Sequence, residues 1–107
     1  MSLSEPLQKQ ISELVAQNRV VLFMKGTRSM PQCGFSAQVV KILDELQSSY
    51  EAVDVLRSTE MRDGIKAFSQ WPTIPQLYVD GQFVGGCDIV REMHVCGELQ
   101  KLIGVQV

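Results

Sequence analysis

The sequence predicts an α/β protein in which one mixed four-stranded sheet is flanked by helices on both faces. Three features lead to that expectation. The uninterrupted apolar run Val20-Val21-Leu22-Phe23-Met24 has the composition of a strand covered on two sides. Amphipathic helical spacing before and after it sets up a strand–helix–strand unit, which makes a parallel pair. Further on, Asp80-Gly81 separates two short strand-like segments and is the strongest short-range hairpin signal a sequence carries.

Each element follows from local chemistry. Ser4, Glu5 and Pro6 start a helix, with a capping hydroxyl and then a proline where its missing N–H does no harm. Leu7, Ile11, Leu14 and Val15 keep helical spacing to about Asn18, and residues 19–25 form the first strand. Residues 26–32 are a polar loop ending in Met30-Pro31-Gln32. The second helix begins at or just after Cys33, with Val39, Val40, Ile42, Leu43 and Leu46 as its apolar stripe. Residues 50–55 alternate as a strand does, and Ser58 or Thr59 caps a helix through roughly Ser69. The segments Gln76–Val79 and Gln82–Gly85 form the hairpin. Residues 89–96 and Glu98–Ile103 are two short helical pieces broken at Gly97.

With 107 residues, no repeat and no Pro/Gly/Ser linker, the chain reads as a single domain over 1–107. Ten basic residues against twelve acidic ones leave a formal charge of −2 without like-charge runs, so neither nucleic acid nor an anionic membrane is the expected partner. The longest apolar run is far short of the roughly 20 residues that span a bilayer. Residues 1–18 are polar and amphipathic rather than a secretory signal or an Arg-rich transit peptide, so a cytoplasmic location is expected; a processed organellar protein would read the same. Three cysteines, Cys33, Cys87 and Cys96, are too few for a disulfide framework.

Cys33 stands out by position. At a strand–loop–helix junction a sulfur meets the free N–H groups and the positive dipole end of the helix, which favour the thiolate. Lys25 at the end of the preceding strand adds a positive charge, and Gly34 permits close approach of a ligand or partner backbone. A dithiol oxidoreductase has a second cysteine three positions after the first, on the same helical turn; here that position is Ser36, so anything Cys33 attacks must be released by another thiol.

Cys33-Gly34-Phe35-Ser36 resembles the CGFS signature of monothiol glutaredoxins, a branch of the thioredoxin-like superfamily. Phe23-Met24-Lys25-Gly26, Trp71-Pro72, Thr73-Ile74-Pro75 and Gly85-Gly86-Cys87-Asp88 occur in the order found in that family, so the resemblance covers residues 10–103. It implies a thioredoxin-like (glutaredoxin) fold and a groove for glutathione. Lys25, Arg62 and Lys66 match positions that bind the glycyl carboxylate; Arg62 and Lys66, four apart on the third helix, share a face. Thr73, Ile74 and Pro75 match a cis-proline loop that offers backbone groups to an extended peptide. Gly86, Cys87 and Asp88 match the helix start that receives the γ-glutamyl end, where Asp88 suits the ammonium and equally reads as an ordinary helix N-cap. Phe35 is expected to flank the groove. The resemblance also places Cys87 near the active site, as a candidate redox partner of Cys33 under oxidation. Trp71 reads as packing beside Pro72, and His94 and Cys96 read as structural.

Two functions fit these residues. In one, implied by the resemblance, Cys33 and a glutathione thiol each supply a ligand, so that two protomers hold a 2Fe–2S cluster between them and act in cluster transfer or assembly and redox regulation. The protein is then a monomer as apo-protein and a homodimer with cluster, with BolA-type proteins and iron–sulfur apo-proteins as partners. In the other, it is a weak glutathione-dependent oxidoreductase that reduces protein–glutathione mixed disulfides through Cys33.

Overall fold

In the computed structural model, which describes residues 3–104, α1 (Glu5–Gln17) starts as the sequence predicts. Ser4 Oγ accepts the Leu7 N–H at 3.3 Å and Pro6 lies in the first turn. Residues 1–2 of the amphipathic segment and residues 105–107 of the single domain expected from the sequence lie outside the described residues. The order continues β1 (Val20–Met24), α2 (Gly34–Glu45), β2 (Glu51–Asp54), α3 (Thr59–Ser69), β3 (Gln76–Val79), β4 (Gln82–Gly85), α4 (Cys87–Cys96) and α5 (Glu98–Ile103). No helix among the described residues is long and apolar enough to cross a membrane.

The sheet runs β2-β1-β3-β4. β1 pairs in parallel with β2, Val21 facing Glu51 and Met24 facing Asp54, and antiparallel with β3, Val20 facing Val79 and Phe23 facing Gln76. Asp80 and Gly81 both take positive φ, 52° and 78°, the geometry of the tight turn whose twist matches a hairpin. Because side chains alternate along a strand, β1 feeds two cores. Val20, Leu22 and Met24 point into a cluster with Val39 and Leu43 of α2, Val90 of α4 and Leu99 of α5. Val21 and Phe23 point the other way, against Ile11 and Val15 of α1 and Met61 and Ile65 of α3. All five β1 residues are buried, which is why the run is apolar without alternation.

Three boundaries are settled by contacts that periodicity does not carry. β2 is shorter than the expected 50–55: Asp54 Oδ1 accepts the Leu56 and Gly26 N–H groups, both at 2.9 Å, and turns Val55–Arg57 into one 3₁₀ turn. Ser58, not Thr59, caps α3, its Oγ accepting the Met61 N–H at 3.1 Å. α4 begins at Cys87 rather than at residue 89. The extended backbone of Gly86 leads from β4 straight into the helix, and the first turn carries buried Cys87 beside exposed Asp88, a pair that masks the apolar period.

Phe23 is fully buried and meets the Tyr78 ring edge-on, with centroids 5.8 Å apart. Truncation there removes the centre of one core. Phe23→Ala is expected to lower unfolding free energy by about 3–5 kcal/mol, read as a lower urea midpoint at unchanged slope.

Candidate functional site

The site begins where β1 ends. Gly26, at φ 91°, turns the chain back on itself, and residues 26 and 31 pair as an isolated antiparallel bridge. A Cβ on Gly26 would lie 2.6 Å from both Gln32 N and Met30 O, so the turn requires glycine. Thr27 and Met30 exchange backbone hydrogen bonds of 3.2 and 3.1 Å, and the Gln32 N–H donates to Lys25 O at 2.9 Å. Arg28 reaches α2, donating to Asp44 Oδ1 through Nε (3.1 Å) and Nη2 (2.6 Å), and lies 4.7 Å from the centre of the Tyr50 ring. The loop is thereby held against the body of the protein and delivers Cys33 to the start of α2.

Cys33 is the N-cap residue of α2, half-buried, with extended backbone. The Ser36 backbone N–H is the main influence holding its thiol below the ordinary range. Partial burial opposes this, while the Phe35 N–H, the Lys25 charge and the Ser36 hydroxyl reinforce it. Ser36 has a second role that the sequence did not disclose. It is fully buried, and its Oγ accepts the Lys25 N–H at 3.1 Å, tying the end of β1 to the first turn of α2. The position that would hold a resolving cysteine is thus a structural joint.

Cys87 is tuned the other way. Burial pushes its thiol up; Arg91 lowers it, and Asp88 and Cys33 raise it further. Its Sγ–H donates to Gln38 Oε1 at 3.0 Å. One groove therefore holds a thiol biased to thiolate, which suits attack or ligation, and a thiol biased to stay protonated.

The groove, of about 690 Å³, brings together ten of the eleven residues expected for the ligand site. Lys25, Cys33 and Phe35 line one part and Lys66 another. Thr73, Ile74 and Pro75 form a wall, with the Ile74–Pro75 peptide bond cis as the family resemblance implies. Gly86, Cys87 and Asp88 close the far end, and Phe35 is exposed, flanking the opening as expected. Arg62 is the exception: it does not line the groove. It lies one turn before Lys66 on α3, about 6 Å along the helix axis, so a shared face does not bring both cations to the same opening.

Two readings of single residues change. Asp88 is not an N-cap: Gly86 holds that position, and Asp88 sits exposed in the first turn of α4, 3.1 Å from Arg91. Trp71 does pack, with its ring 5.5 Å from that of Phe83, but it also lines the groove, and its Nε1 is buried without a partner. Pro72 and Ile89 line it as well. The adjacency of Trp71 and Pro72 to Thr73 was the available signal for those two. Ile89 carried the same signal through its adjacency to Asp88, but as an apolar residue opening a helical stripe it read as core. A Cβ on Gly86 would lie 3.2 Å from Trp71 Nε1 and 3.4 Å from Pro75 O, so glycine lets α4 approach this wall closely. Cys96 is exposed, and His94 lies between Glu45, 3.5 Å away, and Gln100; neither lines the groove.

Known proteins share this architecture. The glutaredoxin family profile matches residues 20–84. Over 95 residues the chain is 56% identical to a ycf64-like monothiol glutaredoxin of Synechocystis sp., covering 89% of each sequence. The solution structure of reduced apo GrxS14 from poplar superposes with a TM-score of 0.83 at 48% identity, over 97% of this chain and 95% of that one. A crystal structure of a buckwheat glutaredoxin–glutathione complex gives a TM-score of 0.80 at 25% identity, over 91% of this chain and 86% of that one.

The opposed thiol shifts are directly measurable. In alkylation rates followed against pH, Cys33 should react with a midpoint below that of an ordinary thiol and Cys87 with one above it. Because the Lys25 charge favours the Cys33 thiolate, Lys25→Met should move the Cys33 midpoint upward. A midpoint for Cys33 at or above that of Cys87 would contradict the electrostatics described.

Proposed function

The chain belongs to the monothiol glutaredoxin family, and on that premise we propose that it binds glutathione and carries a 2Fe–2S cluster between two copies of itself. The observation that supports this best is the thiolate-favouring Cys33 at the mouth of the groove, with a buried serine in place of a resolving cysteine.

Glutathione has the chemistry the groove can recognise. Its glycyl carboxylate suits the charges of Lys25 and Lys66, with Arg62 beyond the rim. Its peptide backbone suits the wall at Thr73, Ile74 and Pro75. Its γ-glutamyl carboxylate suits the free N–H groups at the start of α4, and its ammonium suits Asp88. The ligand thiol is then directed toward Cys33.

The donor set also fits a shared cluster. Iron–sulfur clusters are usually held by four thiolates. Among the described residues, no group of three or more His, Cys, Asp or Glu side chains is gathered to hold a metal. In this reading Cys33 offers one ligand and the others come from outside its own chain. A bound glutathione brings a second thiol, and a second copy with its glutathione completes four. The cluster is cargo in this reading: the protein contributes a poised thiolate and an exchangeable co-ligand, and Ser36 leaves no second thiol on the same helical turn to consume the thiolate in a disulfide.

Monomeric apo-protein, a homodimer with cluster, and BolA-type proteins or iron–sulfur apo-proteins as partners follow from the same proposal, with the cytosol or, for a processed form, an organelle as its setting. Cys87 remains a candidate disulfide partner of Cys33 under oxidation.

Anaerobic reconstitution with iron, sulfide and reduced glutathione, followed by visible absorbance and size, tests this reading. A coloured dimer should form only with glutathione. It should be lost in Cys33→Ser and retained in Cys96→Ser. A normal cluster in Cys33→Ser would sink the ligand set. A colourless monomer with brisk glutathione-dependent reduction of mixed disulfides would put the oxidoreductase reading in its place.

A further inference from the structure

Behind the groove wall lies a polar side chain that the ligand chemistry does not use. Gln76, the first residue of β3, is fully buried. Its Nε2 donates two hydrogen bonds, to Trp71 O and to Thr73 O, each of 3.1 Å. Both acceptors are carbonyls, so the amide orientation is fixed with nitrogen toward the wall. Its Oε1 is left buried and unpaired. An apolar residue of similar size would fill this space without an orphaned oxygen, so what Gln76 adds is its pair of donors. They hold the two ends of Trp71-Pro72-Thr73, immediately before the Ile74–Pro75 bond. The brace is anchored in turn on the central sheet, where Gln76 faces Phe23 of β1.

We propose that Gln76 is a positioning residue of this groove: its carboxamide fixes residues 71–75 at the height where an extended peptide ligand pairs with them, and so sets the affinity for glutathione. The proposal rests on the reading that the groove takes glutathione. Gln76 does not touch the ligand; it acts through the wall. Losing both donors leaves two loop carbonyls unpaired, and the wall relaxes away from the height that suits the ligand.

The test is calorimetric titration of reduced glutathione into the wild type, Gln76→Leu and Gln76→Glu, between about pH 6 and 9, a window that spans ionisation of a buried carboxyl. Gln76→Leu removes both donors and should weaken binding roughly tenfold at every pH. In Gln76→Glu the neutral acid can donate one bond, whereas the ionised form repels both carbonyls. Its dissociation constant relative to wild type should therefore rise with pH. The Cys33 titration is common to the proteins compared and cancels in that ratio. With the fold shown intact by circular dichroism at each pH, a packing loss independent of the carboxamide would not produce such a pH-dependent ratio.

Affinities equal to wild type in both variants overturn the inference and leave the glutathione reading intact; failure of the wild type to bind glutathione overturns that reading instead. If circular dichroism shows either variant unfolded, the wild type decides. The Gln76 side-chain amide protons should exchange slowly and shift when glutathione is added, and unchanged signals at saturation overturn the inference.

Discussion

Burial of β1 on both faces is the constraint from which the rest of the molecule follows. Its five residues belong to two cores at once, α2, α4 and α5 packing on one side and α1 and α3 on the other. A strand so enclosed has no freedom to slip, because a shift of one residue would exchange the two cores. Its C-terminal end is therefore a fixed point in space. The functional loop, the thiol and the first cation of the groove are all hung from it.

From that point the site is assembled by a few short connections. The Ser36 hydroxyl ties Lys25 to α2, Asp54 receives the Gly26 N–H, and Arg28 holds the intervening loop against Asp44 and Tyr50. The exposed Arg28–Asp44 pair contributes little stability by itself, as surface ion pairs generally do. Its consequence is geometric: Cys33 reaches the N-terminus of α2, where the Ser36 and Phe35 backbone N–H groups favour its thiolate.

Two cysteines in one groove then acquire opposite characters from opposite surroundings. Cys33 is half-buried and surrounded by donors and a cation, whereas Cys87 is buried and gives its hydrogen to Gln38. Nothing in the residue type distinguishes them. The difference comes from which helix terminus each occupies and what else faces it. The groove wall shows the same dependence on its surroundings, since the Trp71 and Thr73 carbonyls take their hydrogen bonds from buried Gln76 on the next strand.

Local chemistry alone determined much of this protein. The apolar run of β1, the Asp80-Gly81 turn, the Ser4-Glu5-Pro6 start and the helical stripe after Cys33 each carry their structure in adjacent residues, and their elements formed where that chemistry required. The family resemblance likewise pointed to ten residues that line the groove, while it also pointed to Arg62, which does not line it, and passed over Ile89, which does. Tertiary structure decided what depends on residues distant in sequence. It excluded Arg62 from a groove that Lys66 enters and moved the start of α4 back to Cys87. It gave Trp71 a wall of the groove as well as a packing role, and it turned Ser36 into a joint and Gln76 into a brace. The physical reason is range: hydrophobic period, caps and turns act within a few residues, whereas a hydrogen bond between Ser36 and Lys25, or a thiol's share of burial and charge, exists only after the chain has folded.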